Sequence, residues 1–243
     1  MSLKISKIRL FYNDTITKGD DIVFNRDQSH YLSKVMRLKI GDTLDIFNGV
    51  NGAWKVNITN KSKKSVFAKI ISQTQLQHDP PDLWILFAPI KKNRTQFIIE
   101  KATELGAAKI IPVKTDFTNS ERIKRENLYA HAIEAAEQCG GTFVPNVEKL
   151  CDLKKALRNW PDDRGILFCN EALAGEKSGL PKVNYTKWAI LIGPEGGFSD
   201  SEKIYLNSKK LIFPIDLGPR ILRADTAVVA AISLWQKTFG DWK

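Results

Sequence analysis

Over the first third of the chain, apolar and polar residues alternate in short runs. Ile5–Phe11, Thr43–Phe47, Ala53–Ile58 and Ser65–Ile71 are the clearest, and alternation at a period of two predicts half-buried strands. Asn48-Gly49 and Asn51-Gly52 mark turns between them, because these residues accept positive φ. Short strands joined by such turns predict a small β-barrel. One segment breaks the rhythm. From Ser29 to Leu38 the spacing is helical: Tyr31, Leu32, Val35, Met36 and Leu38 share one side, and His30, Lys34 and Arg37 share the other. Gly41-Asp42 turns the chain out of it.

A polar link, Gln73–Pro81, ends in Asp79-Pro80-Pro81. Proline cannot continue a ladder, so a domain boundary is placed here, dividing the chain into 1–72 and 73–243. Beyond the link the pattern changes to continuous apolar runs at Leu83–Ala88, Ala108–Val113, Ile166–Cys169, Trp188–Ile192 and Leu211–Ile215. Such runs fit strands buried on both faces. Helical stretches separate them: Thr95–Leu105 with Gly106 as its C-cap, Ser120–Cys139, a helix opened by the Ser199/Glu202 capping box, and Ala224–Phe239. Strand and helix alternate, which predicts an α/β domain on a mainly parallel sheet.

Charge alters this picture in one respect. The net charge is +10, and residues 1–72 carry 13 Lys and Arg against 6 Asp and no Glu. A basic segment suits a polyanion, because binding releases the anion's condensed counterions; it suits a solvated, solubilising surface equally well. The three cysteines, Cys139, Cys151 and Cys169, are far apart and unpaired in pattern, so neither a disulfide framework nor a metal site is expected. No stretch approaches the roughly 20 apolar residues that cross a bilayer. The first residues lack the apolar core of a secretory signal, and a cytoplasmic location is expected.

In open α/β sheets, ligands bind beyond the carboxyl ends of the strands. Three such ends carry distinctive residues. Gly193-Pro194-Glu195-Gly196-Gly197-Phe198 follows one strand; its spacing matches neither a dinucleotide fingerprint nor a Walker loop, but glycine lets backbone approach a ligand closely. Leu217-Gly218-Pro219-Arg220-Ile221-Leu222-Arg223-Ala224-Asp225-Thr226-Ala227 places two cations at a strand–helix junction, with Asp225 and Thr226 where a cap belongs. Leu167-Phe168-Cys169-Asn170-Glu171 is a third strand end running into a polar loop.

These motifs closely resemble the ribosomal RNA small subunit methyltransferase E family of the SPOUT superfamily. The resemblance covers most of the chain. It includes His30-Tyr31-Leu32 with Val35-Met36-Arg37-Leu38, Lys101-Ala102-Thr103-Glu104-Leu105-Gly106 with Ile111-Pro112, and Glu134-Ala135-Ala136-Glu137-Gln138-Cys139-Gly140. It departs from the family pattern at Asp225, where Glu is usual, and at Gly141-Thr142, which replaces an Arg-containing pair.

The resemblance implies a PUA-like β-barrel followed by a mainly parallel sheet whose C-terminal chain forms a trefoil knot, a rare topology no periodicity could reveal. It implies S-adenosylmethionine as cofactor, methylation of uridine N3 in 16S ribosomal RNA of the small subunit, and an obligate homodimer; no metal and no membrane are expected. On this reading Leu167, Phe168, Ile192, Leu217, Ile221 and Leu222, with Gly193, Pro194, Glu195, Gly196 and Gly218, hold the cofactor. Arg223, and Arg220 second, stabilise the uracil anion. Glu195 or Asp225 serves as the base or orients an arginine. Arg9, His30, Lys34, Arg37, Lys91 and Arg94 contact RNA. Two rivals remain: a related methyltransferase acting on ribose 2′-oxygen or transfer RNA, and a non-catalytic RNA-binding module, which leaves the glycine and arginine loops unexplained.

Overall fold

A computed structural model describes residues 7–120, 122–176 and 179–242. The chain divides into two compact units. The first holds the residues through Asp79 together with Ala136–Val144, and the second holds Pro80–Ala135 and Pro145 onward.

The first unit is a mixed five-stranded sheet. Its strands are β1 (Arg9–Phe11), β2 (Asp21–Val23), β3 (Thr43–Phe47), β4 (Ala53–Lys61) and β5 (Val66–Gln75), ordered β1-β3-β4-β5-β2. Only the β1–β3 pair is parallel. The alternation seen in sequence becomes the pleat: Leu44 and Ile46, Val56 and Ile58, and Val66, Ala68 and Ile70 all point into one core with Leu10, Ile22 and Leu32. Bulges interrupt the β4–β5 ladder at three places, and each adds local twist. The opening residues of the first expected strand, Ile5 and Ser6, lie outside the described residues.

The expected helix at Ser29–Leu38 takes a different form. Helix α1 spans Arg26–His30, capped by the Asn25 side chain, and a π-helical segment continues through Tyr31–Val35. The Met36 N–H reaches the Tyr31 carbonyl at 2.9 Å, and the Leu38 N–H reaches Leu32 at 3.0 Å. A wide π turn inserts one residue into the helical period. The apolar phase therefore slips: Leu32 stays buried while Val35, expected inside, is 59% exposed. Arg37 ends the segment at φ 55°, a left-handed conformation uncommon outside glycine.

The second unit is built on a parallel sheet. Its strands are β6 (Leu83–Phe87), β7 (Lys109–Lys114), β8 (Asn146–Val147), β9 (Cys151–Asp152), β10 (Arg164–Cys169), β11 (Lys187–Ile192) and β12 (Ile212–Ile215). The order is β12-β10-β11-β6-β7-β8, with β9 also on β7, and every pairing is parallel. Helices α2 (Lys92–Glu104), α3 (Arg125–Cys139), α4 (Leu153–Ala156), α5 (Asp200–Asn207) and α6 (Ala224–Thr238) connect them. The runs read as doubly buried strands are so: Ile85, Leu86, Ile190 and Leu191 are fully buried.

The buried faces of α2 (Ile98, Ile99, Ala102) and α6 (Val228, Ala231, Ile232, Trp235) belong to two helices packed together. Gly106 adopts φ 81° just past α2, where a side chain would be strained, and the Gln236 amide donates to the Leu105 carbonyl at 2.6 Å. The Ser199/Glu202 capping box forms as expected. Helix α3 begins at Arg125, later than Ser120, because its buried positions Leu128, Ala132, Ala135 and Ala136 start only there.

Candidate active site

The order of the strands decides where the site lies. The chain leaves β7 and its short neighbours, crosses to β10, returns through β11 between β10 and β6, and finishes on β12 outside β10. Cys169 is in register with Ile192 on one side and Ile215 on the other. Three carboxyl ends therefore stand side by side, and the loops that leave them enclose one cleft. Its empty volume is about 870 Å³, part of it open to solvent, a size suited to a small organic ligand.

Apolar walls come from Ile192, Ile215, Leu217, Ile221 and Leu222; polar groups come from Asn170, Glu171, Glu195, Asp216, Arg220 and Arg223. The glycines follow from crowding. A Cβ on Gly193 would stand 2.6 Å from the Phe198 ring, and one on Gly197 would stand 2.0 Å from the Glu171 carboxylate, at a φ of 68°. The positive φ at Gly197 favours glycine, whereas the Glu171 carboxylate ends an exposed side chain that can swing aside. The Phe198 ring meets Phe168 edge-on, with centroids 5.0 Å apart, so the loop is moored to the sheet core. On the opposite wall the Asp216 carboxylate accepts the Gly218 N–H at 2.8 Å, which fixes the turn at the start of the arginine loop.

The sequence-predicted cofactor residues divide. Ile192, Gly193, Pro194, Glu195, Leu217, Gly218, Ile221 and Leu222 line the cleft. Leu167 and Phe168 do not: both are fully buried in the sheet, and the wall is formed by the residues just beyond them, Cys169, Asn170 and Glu171. Gly196 also lies off the cleft, facing Phe117. The missed positions Cys169 to Glu171 were signalled only by the strand end itself. Burial pushes the Cys169 thiol up to about 12, so its sulfur is a neutral thiol.

Four charged residues placed at the site by sequence are Arg220, Arg223, Glu195 and Asp225. The structure adds Glu171, Asp216 and Lys203 on the lining and brings in Arg94 as well. Arg94, in the first turn of α2, pairs with Glu195, and its Nε lies 3.7 Å from Asp225. Arg94 was expected on RNA; here it ties the glycine loop to the start of α6. Arg220 and Arg223 are exposed at the cleft. Among the described residues neither guanidinium has a hydrogen-bond or ion-pair partner. Two uncommitted arginines thus stand at the rim of an apolar slot that Lys203 also lines, an arrangement able to hold an organic ligand and stabilise an anion forming beside it.

These features coincide with a known family. A model described as an RNA methyltransferase domain matches residues 77–236, and one described as an RNA methyltransferase PUA domain matches residues 24–71. Ribosomal RNA small subunit methyltransferase E of Rickettsia conorii is 31% identical over 229 residues, which cover 93% of either chain. The chain belongs to the ribosomal RNA small subunit methyltransferase E family. A family structure from Neisseria gonorrhoeae, solved with S-adenosyl methionine, superposes with a TM-score of 0.88 at 24% identity, covering 97% of this chain and 99% of that one. A Legionella pneumophila protein, solved with the cofactor SAM, gives 0.83 at 29% identity, covering 98% and 100%.

Of the residues expected to meet RNA in this family member, His30, Lys34, Arg37 and Lys91 are exposed. Arg9 is not available. It is buried beside the Phe47 ring, and its guanidinium donates to the Gly141 carbonyl at 2.7 Å. Burial pulls its pKa down, while Asp45, Cys139 and Glu137 oppose that pull. Arg9 is therefore an internal staple of the first unit. Among the described residues no cluster could hold a metal ion, and no helix is long and apolar enough to cross a membrane.

Proposed function

We propose that this chain methylates N3 of a uridine in 16S ribosomal RNA, with S-adenosylmethionine as donor. The observation that supports this best is the single cleft formed by loops from three adjacent strand ends, in a member of this family. The residues present suit that cofactor. The slot between Ile192, Leu217, Ile221 and Leu222 would take an adenine ring, and backbone groups at Gly193 and Gly218 would meet its polar edges. When bound, the cofactor supplies an electrophilic methyl group on a sulfonium.

The protein's share is placement, water exclusion and charge. Uracil N3 carries a weakly acidic proton that must leave before or during attack. The charge left behind spreads over the neighbouring carbonyl oxygens. Arg223, with Arg220 second, stabilises that anion from the rim of the cleft. Glu195, which lines the cleft, or Asp225 takes the proton or orients an arginine. Their shared partner Arg94 holds both in place. The first unit, with exposed Lys34 and Arg37, binds RNA phosphates, and the enzyme works as a homodimer on the small ribosomal subunit in the cytoplasm.

The test is methyl transfer to small subunits from a strain lacking the modification, followed by mass spectrometry of the released nucleosides. 3-Methyluridine is the expected product. A 2′-O-methylated nucleoside would replace this reading with ribose methylation, and no transfer at all would remove the enzymatic reading.

A further inference from the structure

Phe117 stands out among the exposed apolar side chains of the second unit. It is 46% exposed, yet the turn that carries it is built from buried polar groups. The Thr118 hydroxyl accepts the Thr115 N–H at 2.9 Å, and the Thr118 N–H returns to the Thr115 carbonyl at 3.1 Å. The Asp116 N–H donates to Glu202 at 3.0 Å, and the Asp116 carboxylate accepts the Ser199 hydroxyl. Thr115, Thr118 and Glu202 are all buried. The turn is thus anchored to the cap of α5, and it holds an aromatic ring toward solvent in one place. Among the described residues that ring meets no other aromatic ring.

The surroundings indicate what it meets instead. Phe117 lies against Gly196, whose missing side chain leaves room: a Cβ there would stand 3.4 Å from the Phe117 Cβ and 3.7 Å from its Cγ. The next residue back, Glu195, lines the cleft and pairs with Arg94. One turn before Arg94, Lys91 and Lys92 are exposed at the start of α2, whose first turn holds no acid. The exposed ring, the rim of the cleft and the pair of lysines thus belong to loops that leave the carboxyl ends of β7, β11 and β6, strands side by side in the sheet. A fixed aromatic face flanked by cations matches the chemistry of unpaired nucleic acid, with bases stacking on the ring and phosphates meeting the lysines.

We propose that Phe117 is a stacking platform for an unpaired RNA base next to the nucleotide that enters the cleft. This rests on the proposed RNA substrate. The test compares Phe117→Ala, Phe117→Leu and Phe117→Trp in methyl transfer to unmodified small subunits, in binding to those subunits, and in calorimetric binding of S-adenosylmethionine. Loss of the ring should weaken subunit binding and raise the KM for subunits at least about fivefold. Leu should behave like Ala, Trp should match the wild type, and cofactor affinity should hold in all three.

Full activity in the Leu variant would overturn stacking in favour of simple apolar packing, and an unchanged Ala variant would overturn any role for the side chain in subunit binding. A change in sedimentation of the Ala variant without any change in subunit binding would assign the ring to contact between copies of this chain, and overturn the proposal too. If the wild type neither binds nor methylates subunits, the RNA reading fails first and the platform fails with it. A wild type that does both while all variants equal it refutes the platform alone.

Discussion

Replacing Arg9 by Met tests whether this cation holds the first unit together or reaches outward to RNA. The side chain is buried, donates to the Gly141 carbonyl at 2.7 Å and lies over Phe47 at 5.2 Å. Its charge also answers Asp45, which is itself buried. Burial pushes the Asp45 pKa up, and Arg9 is the first of the groups opposing that rise. Met keeps much of the volume but removes a hydrogen bond from a charged donor, worth about 1.5–3 kcal/mol. It also leaves Asp45 with less compensation. Arg9 and Asp45 act on each other through space without a direct ion pair, so this share lies well below the roughly 3–5 kcal/mol of breaking a buried pair, and uptake of a proton by Asp45 limits it further.

A net loss of about 3 kcal/mol at neutral pH follows, which lowers the melting temperature of a unit this size by at least about 10 °C. The pH dependence has a definite sign. A carboxylate whose folded pKa is raised binds its proton more tightly when folded, so stability falls as pH rises through the window from the ordinary value of 3.8 up to the folded value. Without Arg9 that window widens upward. The deficit of Arg9→Met should therefore be largest at neutral pH and shrink as pH falls into it. Adding Asp45→Asn should restore the part due to Asp45 but not the part due to the lost bond to Gly141. Scanning calorimetry at two pH values, with subunit binding measured alongside, decides the matter. A variant that melts like the wild type but binds subunits poorly would refute the staple and return Arg9 to the RNA surface.

Three further outcomes are expected. Gly197→Ala places a Cβ 2.0 Å from the Glu171 carboxylate, which must swing aside, and strains the backbone at φ 68°; cofactor affinity measured by calorimetry should fall about tenfold, equivalent to about 1.4 kcal/mol, and an unchanged affinity would separate the loop from the cofactor. Cys169, with its thiol at about 12, should resist iodoacetamide at pH 8 while exposed Cys139 is alkylated, because the thiolate is the reacting form; peptide mass spectra showing equal labelling would contradict its burial. Arg223→Ala should lower kcat by about 10²–10³-fold with little change in cofactor affinity, and equal losses in both would move Arg223 into the cofactor site.

The sheet of the second unit was legible because burial on both faces leaves a direct mark. Leu83–Ala88 and Trp188–Ile192 are continuous apolar runs in sequence, and they became β6 and β11 almost residue for residue. The strands and helix that were not read, β2, β8, β9 and α4, are two to four residues long. So few positions cannot display a period. At Tyr31–Val35 the period was present but misleading, since a π turn shifts the phase by one residue and moved Val35 outward. Nothing in the residue types there distinguishes a five-residue turn from a four-residue one.

The site divides along the same line, between local and distant constraint. Glycines at 193 and 197 were legible because the conformation and crowding that demand them act within a short loop, even though the Glu171 that crowds Gly197 comes from another strand end. Free cations are a different matter. Charge and residue type state what Arg9 and Arg94 are able to bind, but not whether a partner already holds them. Those partners lie far along the chain: Gly141 is 132 positions from Arg9, and Glu195 is 101 positions from Arg94. Only the strand order that gathers β6, β10 and β11 brings Arg94 to the glycine loop. Arg220 and Arg223 escape this ambiguity, because among the described residues no distant carboxylate reaches them. The uncommitted arginine charge at the cleft is therefore theirs, and the proposed stabilisation of an anion rests on them, since Arg94 is already engaged with Glu195 and Asp225.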